Sequence, residues 1–114
     1  MENSMIDWKA TIAKADGDKI FAENLVHDFI KALPDDKVKI TVAFEQHDIE
    51  VLRRNVHKLK GGLSFCIVPA LNIAVRALEQ ACINLDEEKI KIYYAEVMKL
   101  MDDLLREAIA PEKP

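Results

Sequence analysis

From Leu52 to Leu105 the apolar side chains of this chain return every three or four positions and never settle into alternation. That is the period of an α-helix buried along one face, and it leaves no room for a sheet. Leu52, Val56, Leu59 and Leu63 form one such stripe, Leu71, Ala74, Val75, Leu78 and Cys82 a second, and Ile90, Tyr93, Val97, Leu100, Met101, Leu104 and Leu105 a third. Punctuation separates them where helices need starts and stops. Asp7, Asp18 and Asp48 stand at N-cap positions, and Pro69 suits the first turn of the helix it opens. The segments Asp16-Gly17-Asp18, Gln46-His47-Asp48 and Asn84-Leu85-Asp86 read as turns, the histidine-bearing helix should fade near Phe65-Cys66-Ile67, and Pro111 follows the last stripe.

Before residue 49 the pattern is less regular. A short helix carries Trp8, Ile12 and Ala15 on one face, with Trp8 as a plug for the core. A second runs to about Leu33 with Phe21, Leu25, Phe29 and Leu33 as its buried row, and there Pro34 either interrupts it or opens a continuation through Val38, Val42 and Phe44. The expected architecture is all-α: an antiparallel up-down four-helix bundle with an additional short N-terminal helix as a lid over one end. No repeat or linker divides residues 1–114, so one domain is expected, of a length able to bury a core without staples.

Half of the residues are apolar, 32% are charged, and glycine and proline number only three and four, as befits a globular helical protein. The net charge of −4 argues against a nucleic-acid partner. No apolar run approaches the roughly 20 residues that span a bilayer, and no signal-peptide pattern opens the chain, so a cytoplasmic location is expected. Cys66 and Cys82 form no CxxC pair and read as small buried hydrophobes. His27, His47 and His57 fall on different elements without a Glu-x-x-His pair, which leaves no metal site. Gly61-Gly62 lacks the strand and spacing of a nucleotide-binding loop, and a convex bundle offers no oxyanion hole for a Ser/His/Asp hydrolase.

One residue stands outside this account. At about 100° per residue the core stripe of its helix spans roughly 60°, and His57 points about 130° from the stripe's centre, toward solvent. Arg53, Lys60, Gly61 and Ser64 share its side of the helix. Each of Gly61 and Gly62 costs a helix interior about 1 kcal/mol relative to alanine. Gly61, one turn beyond the histidine, removes a side chain that would crowd the ring and so admits a second backbone or bulky group. An unprotonated imidazole nitrogen can attack phosphorus and hold the group as a phosphoramidate. Nearby cations, Lys60 first and Arg53 and Lys58 at longer range, favour the neutral ring before transfer and the phosphoryl dianion after it. Arg53 and Lys58 are equally readable as partner contacts or solvated charges. Ser64 either bonds near the imidazole or back-bonds its own helix.

The run His57-Lys58-Leu59-Lys60-Gly61, with Pro69 twelve residues after the histidine and Leu78-Glu79 closing the next helix, resembles the signature of histidine-containing phosphotransfer (HPt) domains. The Ile6-Asp7-Trp8 start and the Leu33-Pro34 break resemble in particular the HPt domains of BarA- and TorS-type hybrid sensor histidine kinases. The resemblance implies His57 as phosphoacceptor with Lys60 and Gly61 as its neighbours, and receiver domains of a sensor kinase and a response regulator as partners. It implies Mg²⁺ on the receiver and no cofactor in this domain, no kinase activity of its own, and a monomer when isolated. It favours the C-terminal part of a hybrid kinase, the cytoplasmic portion of a membrane-bound protein, over a free-standing chain. Two departures stand out: Ile67 takes a place where the family often has glycine, and the facing-helix residue that often contacts the histidine, frequently glutamine, would be Glu79 or Gln80. A rival class is a helical adaptor that docks receiver domains without phosphorylation.

Overall fold

Every helix in the computed structural model, which describes residues 4–109, begins or ends on a device visible in its local sequence. Helix α1 spans Trp8–Lys14, α2 Lys19–Glu45, α3 Ile49–Gly62, α4 Pro69–Ile83 and α5 Glu87–Ile109, and no strand occurs among the described residues. The carboxylates of Asp7, Asp18 and Asp48 accept the N–H groups of Ala10, Phe21 and Val51 at 3.0–3.1 Å, and Asp86 accepts that of Lys89 at 3.2 Å. Each satisfies an N–H that the first helical turn leaves without a partner. Pro69 takes the first turn of α4, where the missing N–H removes no helical bond. α3 closes at Gly62, a few residues sooner than its sequence suggests.

Three helices end in the same way. Asp16, His47 and Leu85 take φ of 55°, 56° and 54°. The N–H groups that follow return to Ile12, Ala43 and Ala81 carbonyls at 2.9–3.0 Å, the Schellman arrangement. An Asp cap follows at once after His47 and Leu85 and one residue later, past the left-handed Gly17, after Asp16, so the chain reverses in a few residues and the helices these turns join run antiparallel. α2, α3, α4 and α5 close into a ring in which each packs on its neighbours and α5 returns to α2, while α1 lies against α2.

Along the α2–α5 seam, Lys37 pairs with Asp102, the Tyr94 hydroxyl donates to Thr41 at 3.2 Å, and Phe44 stacks on Tyr94 with ring centroids 3.7 Å apart. The expected stripes of α3, α4 and α5 fill the centre: Leu52, Val56, Leu59, Leu71, Val75, Leu78, Val97, Met101 and Leu104 are buried. Trp8 packs partly buried against this core. Cys66 and Cys82 are buried free thiols, pushed by burial up to about 12 and about 11.

α2 departs from expectation twice. It continues unbroken through Pro34, although a proline inside a helix removes one bond and crowds the preceding turn, at about 3 kcal/mol. Leu33 and Ile40, on either side of the proline, are fully buried. Each gains about 1.5–3 kcal/mol by leaving water, which offsets the defect. Pro34 itself is exposed, so the freed carbonyl one turn back can turn to water. The buried row is Ala22, Val26, Leu33, Ile40 and Ala43, whereas Phe21, Val38 and Val42 are exposed and Leu25, Phe29 and Phe44 only partly covered. Strict i, i+4 spacing rotates by about 40° per step. Phe21, Leu25, Phe29 and Leu33 therefore spiral off one face, while residues seven apart stay on it.

The left-handed Leu85 is also well exposed, so its side chain gives little back for a backbone conformation that costs a non-glycine residue about 1–2 kcal/mol. Leu85→Gly is expected to stabilise the protein by about 0.5–1 kcal/mol, read as a rise in urea midpoint with unchanged slope.

Candidate functional site

The rotation of α3 is set by its core face, where Leu52, Val56 and Leu59 are at most 1% exposed. That rotation carries His57 outward, with 63% of its side chain exposed. α4 lies beside α3 with Leu71, Ala74, Val75 and Leu78 buried, and the next residue after Leu78, Glu79, falls on the seam between the two helices, its side chain 11% exposed. Both Glu79 oxygens are engaged. His57 Nδ1 lies 2.6 Å from Oε2, and the Lys60 ammonium donates to Oε1 at 2.6 Å.

The charge states follow from this geometry. Burial pushes the Glu79 carboxyl up, but its hydrogen bonds and attraction to Lys60 and His57 outweigh burial and hold it below the ordinary 4.5. Glu79 is therefore an anion at neutral pH, and a carboxylate only accepts hydrogen bonds. The imidazole must place its proton on Nδ1 and donate it to Glu79. In the neutral ring this tautomer leaves the Nε2 lone pair free on a largely exposed edge, the state a nucleophilic nitrogen needs. The Glu79 carboxylate thus bridges Lys60 and the imidazole.

Beside His57 lies a shallow groove lined by Lys60, Gly61 and Ser64, by Asn72 and Arg76 of α4, and by Lys14 in the last turn of α1, with Leu63 and Ile67 completing it. α1 is held there by the α3–α4 connection. The Ile67 N–H donates to Thr11 Oγ1 at 3.0 Å, and the Asp7 N–H donates to the Ile67 carbonyl at 2.7 Å. Ile67 thus has both backbone groups bonded and a conformation open to any residue, so glycine is not needed at that place.

The two adjacent glycines separate in role. A Cβ on Gly62 would sit 2.9 Å from the Cδ1 and Cε1 ring atoms of Phe29, so this glycine lets α2 and α3 pack closely. A Cβ on Gly61 would meet nothing within 4 Å. The fold has no need of glycine there, and the helix backbone beside His57 is bare toward the groove.

The structure gathers His57, Lys60, Gly61 and Ser64 in one place and leaves two other candidates out. Lys58 is exposed and its charge acts on Asp36 of α2; Arg53 lines a different depression with Cys82, Ile83 and Leu85. Of the pair Glu79 and Gln80, Glu79 meets the histidine, while the Gln80 amide donates to Asn84. Lys14, Asn72 and Arg76 carried no signal that sequence reading could use, because each belongs to a helix remote in sequence from the histidine. His47 is the left-handed residue that ends α2, and His27 is exposed 3.8 Å from Asp28. Among the described residues, no three His, Cys, Asp or Glu side chains are grouped as a metal ion would require, and no helix is long and apolar enough to cross a membrane.

A family model described as Hpt domain matches residues 24–110. The fold is similar to a crystal structure of the HPT domain from an Hpt sensor hybrid histidine kinase of Shewanella, with a TM-score of 0.66 at 21% identity, covering 93% of this chain and 97% of that one. No curated protein matches the sequence.

Because Glu79 holds its charge to lower pH in the fold than in the unfolded chain, the stability it contributes is fully present above its ordinary value of 4.5 and lost as pH falls through the depressed folded value. Urea midpoints measured downward from about pH 5 should fall more steeply for the wild type than for Glu79→Gln, which has no carboxyl at that place to titrate. Gly61→Ala should leave the urea midpoint unchanged or raise stability by up to about 1 kcal/mol. Gly62→Ala, which must displace the Phe29 ring, should lower it by about 1 kcal/mol or more.

Proposed function

This chain belongs to the Hpt domain family, which serves histidine phosphotransfer in phosphorelays and interacts with receiver domains of two-component systems, and on that premise we propose that His57 is its phosphoacceptor. The observation that carries the reading is the bonded Nδ1: Glu79 takes the proton side of the ring and leaves Nε2 bare on the surface. In the proposed reaction a receiver presents an aspartyl-phosphate, and the Nε2 lone pair forms a bond to phosphorus as the acyl P–O bond breaks and the aspartate carboxylate departs. The ring then carries one positive charge, with its proton still on Nδ1 against the Glu79 carboxylate. Glu79 thereby stabilises the imidazolium that forms on phosphorylation, in the way a buried carboxylate supports a histidine in acyl transfer.

Transfer to the aspartate of a response regulator reverses these steps. The same residues serve both directions, because the reverse transfer passes through the same transition state. Lys60 lies one helical turn from the ring and offers a cation to the phosphoryl oxygens. Gly61 leaves the approach open for the receiver, which supplies the aspartate and its Mg²⁺. The isolated domain acts as a monomer in the cytoplasm and carries no kinase activity or cofactor of its own in this reading.

Incubation with a phosphorylated receiver tests it. Wild type should gain an acid-labile, alkali-stable label that His57→Gln does not, and label retained by that variant would sink the assignment. Glu79→Ala should slow transfer by roughly 10- to 100-fold, as loss of the partner that orients a functional imidazole does. Gly61→Leu should slow transfer while leaving the fold intact.

A further inference from the structure

The groove beside His57 has one sign of charge in a chain whose net charge is −4. No aspartate or glutamate lines it, whereas Lys14, Lys60 and Arg76 do. Lys60 gives one of its three ammonium donors to Glu79. Lys14 and Arg76 are exposed and make no ion pair among the described residues. They reach the groove from two different helices. Arg76 stands on α4, one turn beyond Asn72 and one before Glu79. Lys14 ends α1, which two hydrogen bonds tie to Ile67 in the α3–α4 connection. A recess lined by cations from three helices and by no carboxylate concentrates positive potential more than the same charges would on a convex surface. Ser64 and Asn72 add neutral hydrogen-bonding groups to the lining.

We propose that Lys14 and Arg76 form, with Lys60, an oxyanion cradle beside Nε2 that receives the oxygens of the phosphoryl group during transfer to His57. The ligand is a tetrahedral phosphoryl dianion attached to its donor. The proposal rests on His57 being the phosphoacceptor. It makes α1, a helix outside the four-helix ring, part of the reacting surface, and gives Lys14 and Arg76 a positioning role that depends on charge.

Potassium phosphoramidate is a probe that needs no partner protein. Nε2 attacks its phosphorus, the P–N bond breaks, and the nitrogen leaves as ammonia with the protons it already carries. The ring becomes an Nε2-phosphorylated imidazolium whose Nδ1 proton is unmoved. Phosphohistidine formation, followed by ³¹P NMR, is compared in wild type, Lys14→Ala/Arg76→Ala and Lys14→Arg/Arg76→Lys, with circular dichroism confirming the fold of each. At about 20 mM salt the alanine pair should react roughly tenfold more slowly than wild type, and the charge-conserving pair should recover most of the rate. The difference should narrow near 1 M salt, where charges are screened beyond about 3 Å. Equal rates at low salt, or a charge-conserving pair as slow as the alanine pair, would overturn the cradle while leaving His57 as the acceptor. Absence of phosphohistidine on the wild type would overturn the acceptor reading and the cradle with it.

Discussion

A carboxylate taken largely out of water stays ionised only if both of its oxygens find strong donors, and Glu79 meets that condition with one donor from each of two successive turns of α3. The demand is mutual. Lys60 and His57 lie three residues apart on one helix face, so a single carboxylate from the facing helix can reach both only at one register of α3 against α4. Leu59 and Leu78, each adjacent in sequence to a member of the trio, are buried. The same rotations that bury the leucines aim the polar trio at one another along the seam. The order of events is therefore packing first, then charge, then tautomer: the ring proton is directed inward because the anion is there, and the free nitrogen faces out because the proton is not.

The periphery of the site depends on a segment that is neither helix nor lid. The α3–α4 connection buries Cys66 and Val68 in the core and turns the backbone of Ile67 outward to pair with α1. Those two hydrogen bonds tie α1 directly to the segment that follows the histidine helix, and so set Lys14 beside the groove. A short helix that looks in sequence like a cap over the core thus completes one wall of the groove. The adjacent glycines show the same division of labour on a smaller scale: Gly62 serves packing against Phe29, and Gly61 serves only the space outside.

Much of this was legible from local pattern. The caps at Asp7, Asp18 and Asp48 and the proline at the start of α4 are decided within four residues, because a side-chain oxygen or a missing N–H acts on its own helical turn. The stripes of α3 and α4 were legible because many residues agree on one face. α2 was not. Its expected row favoured large phenylalanines over Ala22 and Val26, yet size says little when a helix of 27 residues must keep one narrow face inward. Pro34 likewise carries a strong local signal to break the helix, and the burial of Leu33 and Ile40 overrides it. That competition is invisible until the partner helices are in place.

What the sequence determined by itself was the all-helical character, the capped helix starts and the outward aim of His57, for each depends on the geometry of a single helix. Which facing residue bonds the imidazole, and which cations share its groove, were decided only by tertiary structure. Glu79 and Gln80 are neighbours in sequence about 100° apart around α4, and only the rotation fixed by Leu71, Val75 and Leu78 selects the first. His57 and Glu79 are 22 residues apart, and Lys14 is more distant still. Contacts over such separations follow from how whole helices settle against one another, which no local spacing records.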